Sequence, residues 1–465
     1  MFNSNTYIQR RAELASKVNS GILLFLGNAE SPMNYRDNTY HFRQDSNFLY
    51  YFGINAPNLA AIIDADENTV TVFGDEMTID EIVWMGRLET LKEKSLKAGV
   101  TQTLPFADLQ NVISKAKLQS RQIHYLPPYR AENKIALYTM LGIAPAESKS
   151  LSSLQFIKAV VSQRSIKSAE EIVEIEKAVN TTTDMHLLAM QIAKPGMTEN
   201  NVAAAIHKVA LDGGGNLAFP IIMTTHGEIL HNHYHGNVLK EGQLLLNDSG
   251  AESAMCYAGD MSRTFPVSKT FSTQQKEIYS IALHAHETAV SKLQPGTRYI
   301  DVHYAASKAI ANGLKDMGLM HGDIDEAVAA GAHALFFQCG TGHMMGLDVH
   351  DMEDLGEQYV GYNDVLKKNT TQFGLKSLRL GRELEAGFVL TIEPGIYFIP
   401  ELIDIWKAEN KFAQFINYDK VEAFKYFGGL RAEEDFVITE NGCRLLGKPI
   451  AKTIADIEDV RTGAF

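Results

Sequence analysis

Cysteine is scarce: three thiols, Cys256, Cys339 and Cys443, stand far apart in 465 residues. They form no paired framework and no C-x-x-C site, which excludes a disulfide scaffold and fits a reducing compartment. An excess of positive charge is also missing. Lysine and arginine total 43 against 56 acidic residues, a formal charge of −13, so neither nucleic acid nor an anionic membrane surface is expected as a partner. No apolar run approaches the ~20 residues that cross a bilayer. GILLFLG, at 21–27, has the length of a strand. The opening MFNSNTYIQRRAELASKV lacks the long apolar core of a secretory leader. Low-complexity tracts and fixed-period repeats are absent as well. What remains is 45% hydrophobic and 21% charged, an ordinary globular balance in a chain too long for one core. Two domains in a cytoplasmic protein are the expectation.

Residues 1–165 read as an α/β domain. Apolar runs at 21–27, 59–65 and 69–74 have strand character, with amphipathic segments between and after them, for example 79–98. Residues 166–465 read as a second, α+β domain. It opens with a helix capped by Ser168, whose first turn carries Glu170 and Glu171. Pro195-Gly196 breaks that helix, and Thr198 starts another that ends at the glycines 213–215. Strand-like segments follow at 219–223, 243–248, 260–267, 388–393, 396–399 and 434–438, with helical stretches at about 273–293 and 300–317 between the early and late ones. Helix pair, strand hairpin, helix pair, strand hairpin suggests two similar halves facing each other.

Four acids sit on these strand-like runs, two in each half. Asp248 ends the apolar run LLLND, and Asp260 precedes MSRTFPV. Glu393 ends GFVLTIE, where Pro394 forces it toward an extended backbone. Glu433 follows GGLRA. Between the halves lies 338-QCGTGHMMGLDVHD-351, with His343 and His350. Taken singly, such acids are exposed turn residues or helix caps, and such histidines are simply hydrogen-bonded. Together, four carboxylates converging without counter-charge would protonate rather than stay ionised. Two divalent cations remove that difficulty. Four oxygen donors with one imidazole suit Mn²⁺, Co²⁺ or Fe²⁺ better than a structural zinc, which would use cysteines. Mn²⁺ is the first expectation, with Co²⁺, Fe²⁺ or Zn²⁺ as alternatives. A pair of ions about 3.5–4 Å apart can lower the pKa of a shared water and generate a hydroxide nucleophile, which points to hydrolysis.

These residues resemble the metallopeptidase family of methionine aminopeptidase, aminopeptidase P and prolidase, whose catalytic domain has the pita-bread fold. That family binds a dinuclear centre through Asp, Asp, His, Glu, Glu. The resemblance carries those roles to Asp248 in NDSG, Asp260 in GDMSRTFP, His343 in GHMMGLDVHD, Glu393 in TIEPGIY and Glu433 in LRAEED. HFRQDSNFLYYFGI (41–54) and WMGR (84–87) resemble the creatinase-like N-domain of aminopeptidase P and prolidase. The implied activity is an exopeptidase that cleaves the Xaa-Pro bond of peptides with proline in the second position, assembled as a homodimer or homotetramer. By the same transfer His231, 17 residues before Asp248, contacts the scissile carbonyl or stabilises the intermediate. His350 holds substrate and helps proton transfer, Glu393 doubles as the proton acceptor, and Arg431 and Tyr397 steady the site and its hydrogen bonds, Tyr397 as a substrate-binding residue. Trp84 resembles a tryptophan that reaches a neighbouring subunit's pocket.

Two departures stand out. The aspartates are 12 positions apart, one more than in many relatives, which a hairpin turn around Ser253–Met255 can absorb. Cys339 occupies a position four before His343 where relatives commonly have histidine, and a thiol cannot act as a cationic imidazole. The rival readings are an Xaa-Pro dipeptidase (prolidase), suggested by the long segment 397–435, and a non-catalytic pita-bread binding module, disfavoured by the intact ligand set.

Overall fold

The run 22-ILLFL-26 forms β1 (Ile22–Leu26), which lies inside a five-stranded sheet in the computed structural model, where all 465 residues are described. Its neighbours are β2 (Ala60–Asp64), β3 (Thr69–Phe73), β4 (Gln102–Leu104) and β5 (Ile123–Tyr125), in the order β4-β3-β2-β1-β5. The β1–β2 and β2–β3 pairs are antiparallel, and β3–β4 and β1–β5 are parallel. Ile22 and Leu24 share one core cluster with Leu109, Ile113 and Leu137 from the helices Asp108–Leu118 and Ala131–Leu141. Phe25, facing the other way, meets Tyr51 and Phe156 at ring distances of 5.2 Å. A strand buried on both faces reads as a continuous apolar run, as this one does.

The segment 79–98 is not one helix. Gly86, at φ +72°, ends the helix Ile79–Met85, and a second helix, Leu91–Lys97, starts afresh. Each has its own reciprocal cap, Thr78 with Glu81 and Thr90 with Glu93.

By internal packing the chain divides into Met1–Arg164 with Met352–Tyr359, and Ser165–Asp351 with Val360–Phe465. The second unit opens on the helix Ala169–Ile192, capped by Ser168 and Glu171, and continues with Glu199–Asp212, capped by Thr198 and Asn201. The short strand β6 (Asn216–Leu217) pairs with β9 (Ala251–Glu252). Strands β7 (Ile222–Thr224), β8 (Leu244–Ser249) and β10 (Met261–Pro266) form an antiparallel sheet ordered β10-β8-β7. The helices Thr273–Val290 and Tyr299–Asp316 separate it from the later strands. There β11 (Val389–Ile392), β14 (Glu434–Thr439) and β15 (Gly442–Leu445) pair in that order, and β12 (Gly395–Tyr397) pairs with β13 (Gly429–Arg431).

The early and late strands are stitched together. Glu433 N–H donates to the Ser262 carbonyl at 3.0 Å, and Arg431 N–H to the Thr264 hydroxyl at 3.1 Å. This seam brings the ends of β8, β10 and β13 to one place. No helix is long and apolar enough to cross a membrane.

Candidate active site

Asp248 lies opposite Ser262 in the β8–β10 ladder, which places it beside the start of β10, where Asp260 stands. The connection between the two strands contains a tight loop at Ser253–Tyr257, with Cys256 in a left-handed conformation at φ +64°. Glu393 follows β11, and Glu433 lies between β13 and β14. All four carboxylates and His343 line one cavity of about 250 Å³ in the second unit, together with His231, His350 and Arg431.

Ligand atoms of Asp260, His343 and Glu433 lie within 4.8 Å of one another. His343 Nε2 is 3.4 Å from Asp260 Oδ2 and 3.6 Å from Glu393 Oε1. Its other nitrogen, Nδ1, is 3.1 Å from the Met344 carbonyl. A carbonyl only accepts, so Nδ1 carries the proton and Nε2 turns a lone pair toward the acids, as a metal ligand requires. Asp248 takes a hydrogen bond from Arg431 Nη2. Arg431 also donates through Nε to Ser262 Oγ (2.8 Å), which itself donates to Glu433 Oε2 at 2.7 Å.

The electrostatics fit cations. Burial, and then the Asp248 charge, push Asp260 up to about 7. Burial raises Glu433 well above the carboxylate range, with Asp260 next in importance. Glu393 is raised by burial against the opposing pull of His343. Asp260 Oδ1 is buried with no protein hydrogen bond. Apart from His343 no positively charged group pairs with Asp260, Glu393 or Glu433. Hard oxygen donors, one correctly oriented imidazole and an uncompensated buried oxygen are what a divalent metal site presents.

The remaining residues singled out from sequence fall in three places. His231 lies on the exposed rim, and His350 is half-buried with its ring centroid 4.4 Å from that of His343. Tyr397 is fully buried behind Arg431, whose Nη1 donates to its hydroxyl at 3.1 Å, and it does not reach the lining. Trp84 belongs to the first unit, 85% exposed on a helix with no buried residue. Cys339 does line the cavity. Its thiol, 4.0 Å from the Tyr397 hydroxyl, is pushed up to about 12 by burial and then by Glu393, so it is neutral at any working pH. Several lining residues escaped the sequence reading, among them the polar His233, Ser377 and Arg379. Ser377 and Arg379 follow a stretch of turns and short helices with no periodicity, which gave them no signal in the sequence.

Comparison with known proteins places this geometry. The model of metallopeptidase family M24 matches residues 173–440, and that of the aminopeptidase P N-terminal domain matches 7–124. The chain is 29% identical to the Xaa-Pro aminopeptidase of Escherichia coli, over 98% of its own length and 97% of that protein's. It is 28% identical to the human Xaa-Pro dipeptidase, over 96% and 90%. The structure of Pseudomonas aeruginosa aminopeptidase PepP superimposes with a TM-score of 0.81 at 26% identity, covering 100% of this chain and 99% of that one. Zinc-substituted Escherichia coli aminopeptidase P in complex with product gives 0.80 at 27%, with the same coverage. An aminopeptidase P-type N-terminal domain therefore precedes a pita-bread catalytic domain, and the chain belongs to metallopeptidase family M24.

Proposed function

We propose that the enzyme is an Xaa-Pro aminopeptidase, releasing the N-terminal residue from peptides with proline in the second position. The observation that carries this is the convergence of Asp260, His343, Glu393 and Glu433 on one cavity, with Asp248 on the same wall. The five would hold two divalent cations, Mn²⁺ foremost. When bound, these supply Lewis acidity toward the scissile carbonyl and a water of lowered pKa.

The chain's own residues have separable tasks. Glu393, on the cavity wall with its side chain 17% exposed, accepts a proton from the attacking water. His350, beside His343, passes a proton to the proline nitrogen as the C–N bond breaks. His231, on the rim, donates to the carbonyl oxygen as it gains charge. Arg431 holds Asp248 and, through Ser262, Glu433, while Tyr397 holds Arg431 from behind. The free α-amine of the substrate is attracted to the acidic wall, which restricts cleavage to the first bond. A bond to proline has no N–H for a protease to grip, and this scheme uses none.

A second reading, the Xaa-Pro dipeptidase, has one observation in its favour: Arg379 stands on the cavity lining, where a guanidinium could receive the terminal carboxylate of a two-residue substrate. Cleavage of Xaa-Pro and Xaa-Pro-Xaa-Xaa peptides, side by side with Mn²⁺ and with chelator, tests both. Chelator-sensitive release of the first residue from the longer peptide is expected. Cleavage of the dipeptide alone would make the enzyme a prolidase, and a protein that purifies without metal and cleaves neither would be a binding module.

The same reading makes the enzyme cytoplasmic and a homodimer or homotetramer in which Trp84 contacts a neighbouring subunit's substrate. The exposure of Trp84 with Ile79 and Val83, each above 70%, supports it. Light scattering on the wild type and on Trp84→Ala tests it, with a change in mass or in KM expected.

A further inference from the structure

Two metal-site residues, His343 and Glu393, come from segments that lie against each other. His343 N–H donates to Thr391 Oγ1 at 3.2 Å, and Thr391 N–H to the His343 carbonyl at 3.0 Å. Two residues earlier, the Thr341 carbonyl accepts from Glu393 N–H at 2.7 Å. Thr341 thus fixes the backbone of Glu393 while sitting in the segment that carries His343. The approach is close enough that a Cβ on Gly342 would stand 2.2 Å from the Thr391 carbonyl and 2.2 Å from the Tyr299 hydroxyl.

The helix Tyr299–Asp316 supports this junction with two side chains one turn apart. The Tyr299 hydroxyl donates to the Thr391 carbonyl at 2.7 Å. His303 Nδ1 shares a hydrogen bond of 2.8 Å with Thr341 Oγ1. His303 is completely buried against Phe337 and His333, and no protein group reaches its Nε2. Burial holds the ring neutral by pulling it down to about 3. Packing alone would favour an apolar side chain here, because a buried imidazole with an unsatisfied nitrogen is unfavourable. The contact that distinguishes histidine from leucine or phenylalanine at this position is the one to Thr341.

We infer that His303 is a positioning residue for the metal centre: through the Thr341 hydroxyl it sets the Thr341 carbonyl, and so the Glu393 backbone, against the His343 segment. His303 touches neither the cavity nor any carboxylate. The inference rests on the proposal that His343 and Glu393 bind metal.

The test uses the full-length protein, stripped of metal and titrated with Mn²⁺ by calorimetry, alongside kcat and KM for an Xaa-Pro peptide. His303→Leu fills the space but cannot bond Thr341, whereas the amide of His303→Asn can occupy the place of Nδ1. Expected for His303→Leu is about a ten- to hundredfold loss in metal affinity or kcat, with KM and melting temperature little changed. His303→Asn recovers most of it. Thr341→Val reproduces the loss, Thr341→Ser does not, and the Leu/Val double variant is no worse than either single one. Wild-type metal affinity and kcat in His303→Leu, or additive losses in the double variant, would overturn the assignment. Should His303→Leu fail to fold, the Val and Ser variants of Thr341 decide alone. A wild type that binds no Mn²⁺ would remove the underlying metal reading as well, which separates the two failures.

Discussion

Each unit of this chain carries a cluster of acids at the end of a strand, and the two clusters behave differently. In the first unit Asp64 ends β2 and Asp66 follows it. Arg121 reaches both, with 2.8 Å to Asp64 Oδ2 and 2.7 Å to Asp66 Oδ2, where Asp64 is largely buried and Asp66 is open to solvent. Backbone donation from Gly21, then Arg121, holds Asp66 below its usual range. In the second unit, Asp248 has Arg431, but the other three acids have only His343 between them. Burial there raises pKa values instead of lowering them. An aspartate at a strand end is therefore no signal by itself. What distinguishes a metal cradle from a surface ion pair is the shortage of fixed positive charge where water is excluded.

The largest test of that contrast is to remove a cradle acid. Asp260→Ala or Glu393→Ala should lower kcat/KM by roughly a thousandfold or more and lose bound metal. Full turnover by either variant, assayed with metal content measured per chain, would break the scheme.

Next in size is a buried ion pair that is complete. Lys167 Nζ and Asp351 Oδ2 are 2.8 Å apart, each side chain 1% exposed. Lys167→Met removes the cation beside a buried carboxylate and should destabilise the protein by about 3–5 kcal/mol. Lys167→Met with Asp351→Leu should return most of that stability, as read from denaturant unfolding. Because Asp351 adjoins His350, the double variant should stay below wild type in kcat even when its stability is restored.

A third effect separates the two clusters by the sign of their response to pH. Asp260 binds its proton up to about pH 7 in the folded, metal-free protein, against 3.8 for a free carboxyl. The folded state then holds more protons than the unfolded one, so its stability falls as pH rises from 4 to 7. Melting temperatures in chelator should show that decline, and saturating Mn²⁺ should flatten it. Asp66, lowered instead, contributes in the opposite sense.

The smallest effect belongs to the first cluster. Arg121→Met removes a partly exposed network, for which less than about 1 kcal/mol is expected, with kcat and metal content unchanged. A drop in metal content would show that the units are not independent in this respect.

Much of this was legible in the chain. The acids announced themselves at the edges of strand-like runs, and Ser168 and Thr198 announced helix starts that the structure caps with Glu171 and Asn201. These are local signals, set by neighbours within four residues. The division of 79–98 was missed because the amphipathic pattern runs on across Gly86 while the backbone does not. Arg379 was missed because nothing within its own segment reports that it faces a cavity. His303 lies within the helical stretch expected at about 300–317 and was not singled out, because its meaning depends on Thr341, 38 positions away. Tyr397 was expected near substrate, yet the fold places it one layer back, behind Arg431. Local chemistry is written in sequence order, whereas a side chain's neighbours across the fold are not.

The seam between the two hairpins also bears on how the protein is made. Ser262 and Glu433 are 171 positions apart, and Asp248 and Arg431 are 183. Closing loops of that length is slow relative to forming helices or hairpins. On a ribosome the first two acids emerge long before the last, and half a cradle offers a metal ion no more than an ordinary pair of carboxylates. Selectivity for the ion thus becomes a property acquired only after residue 433 has left the exit tunnel and the hairpins dock.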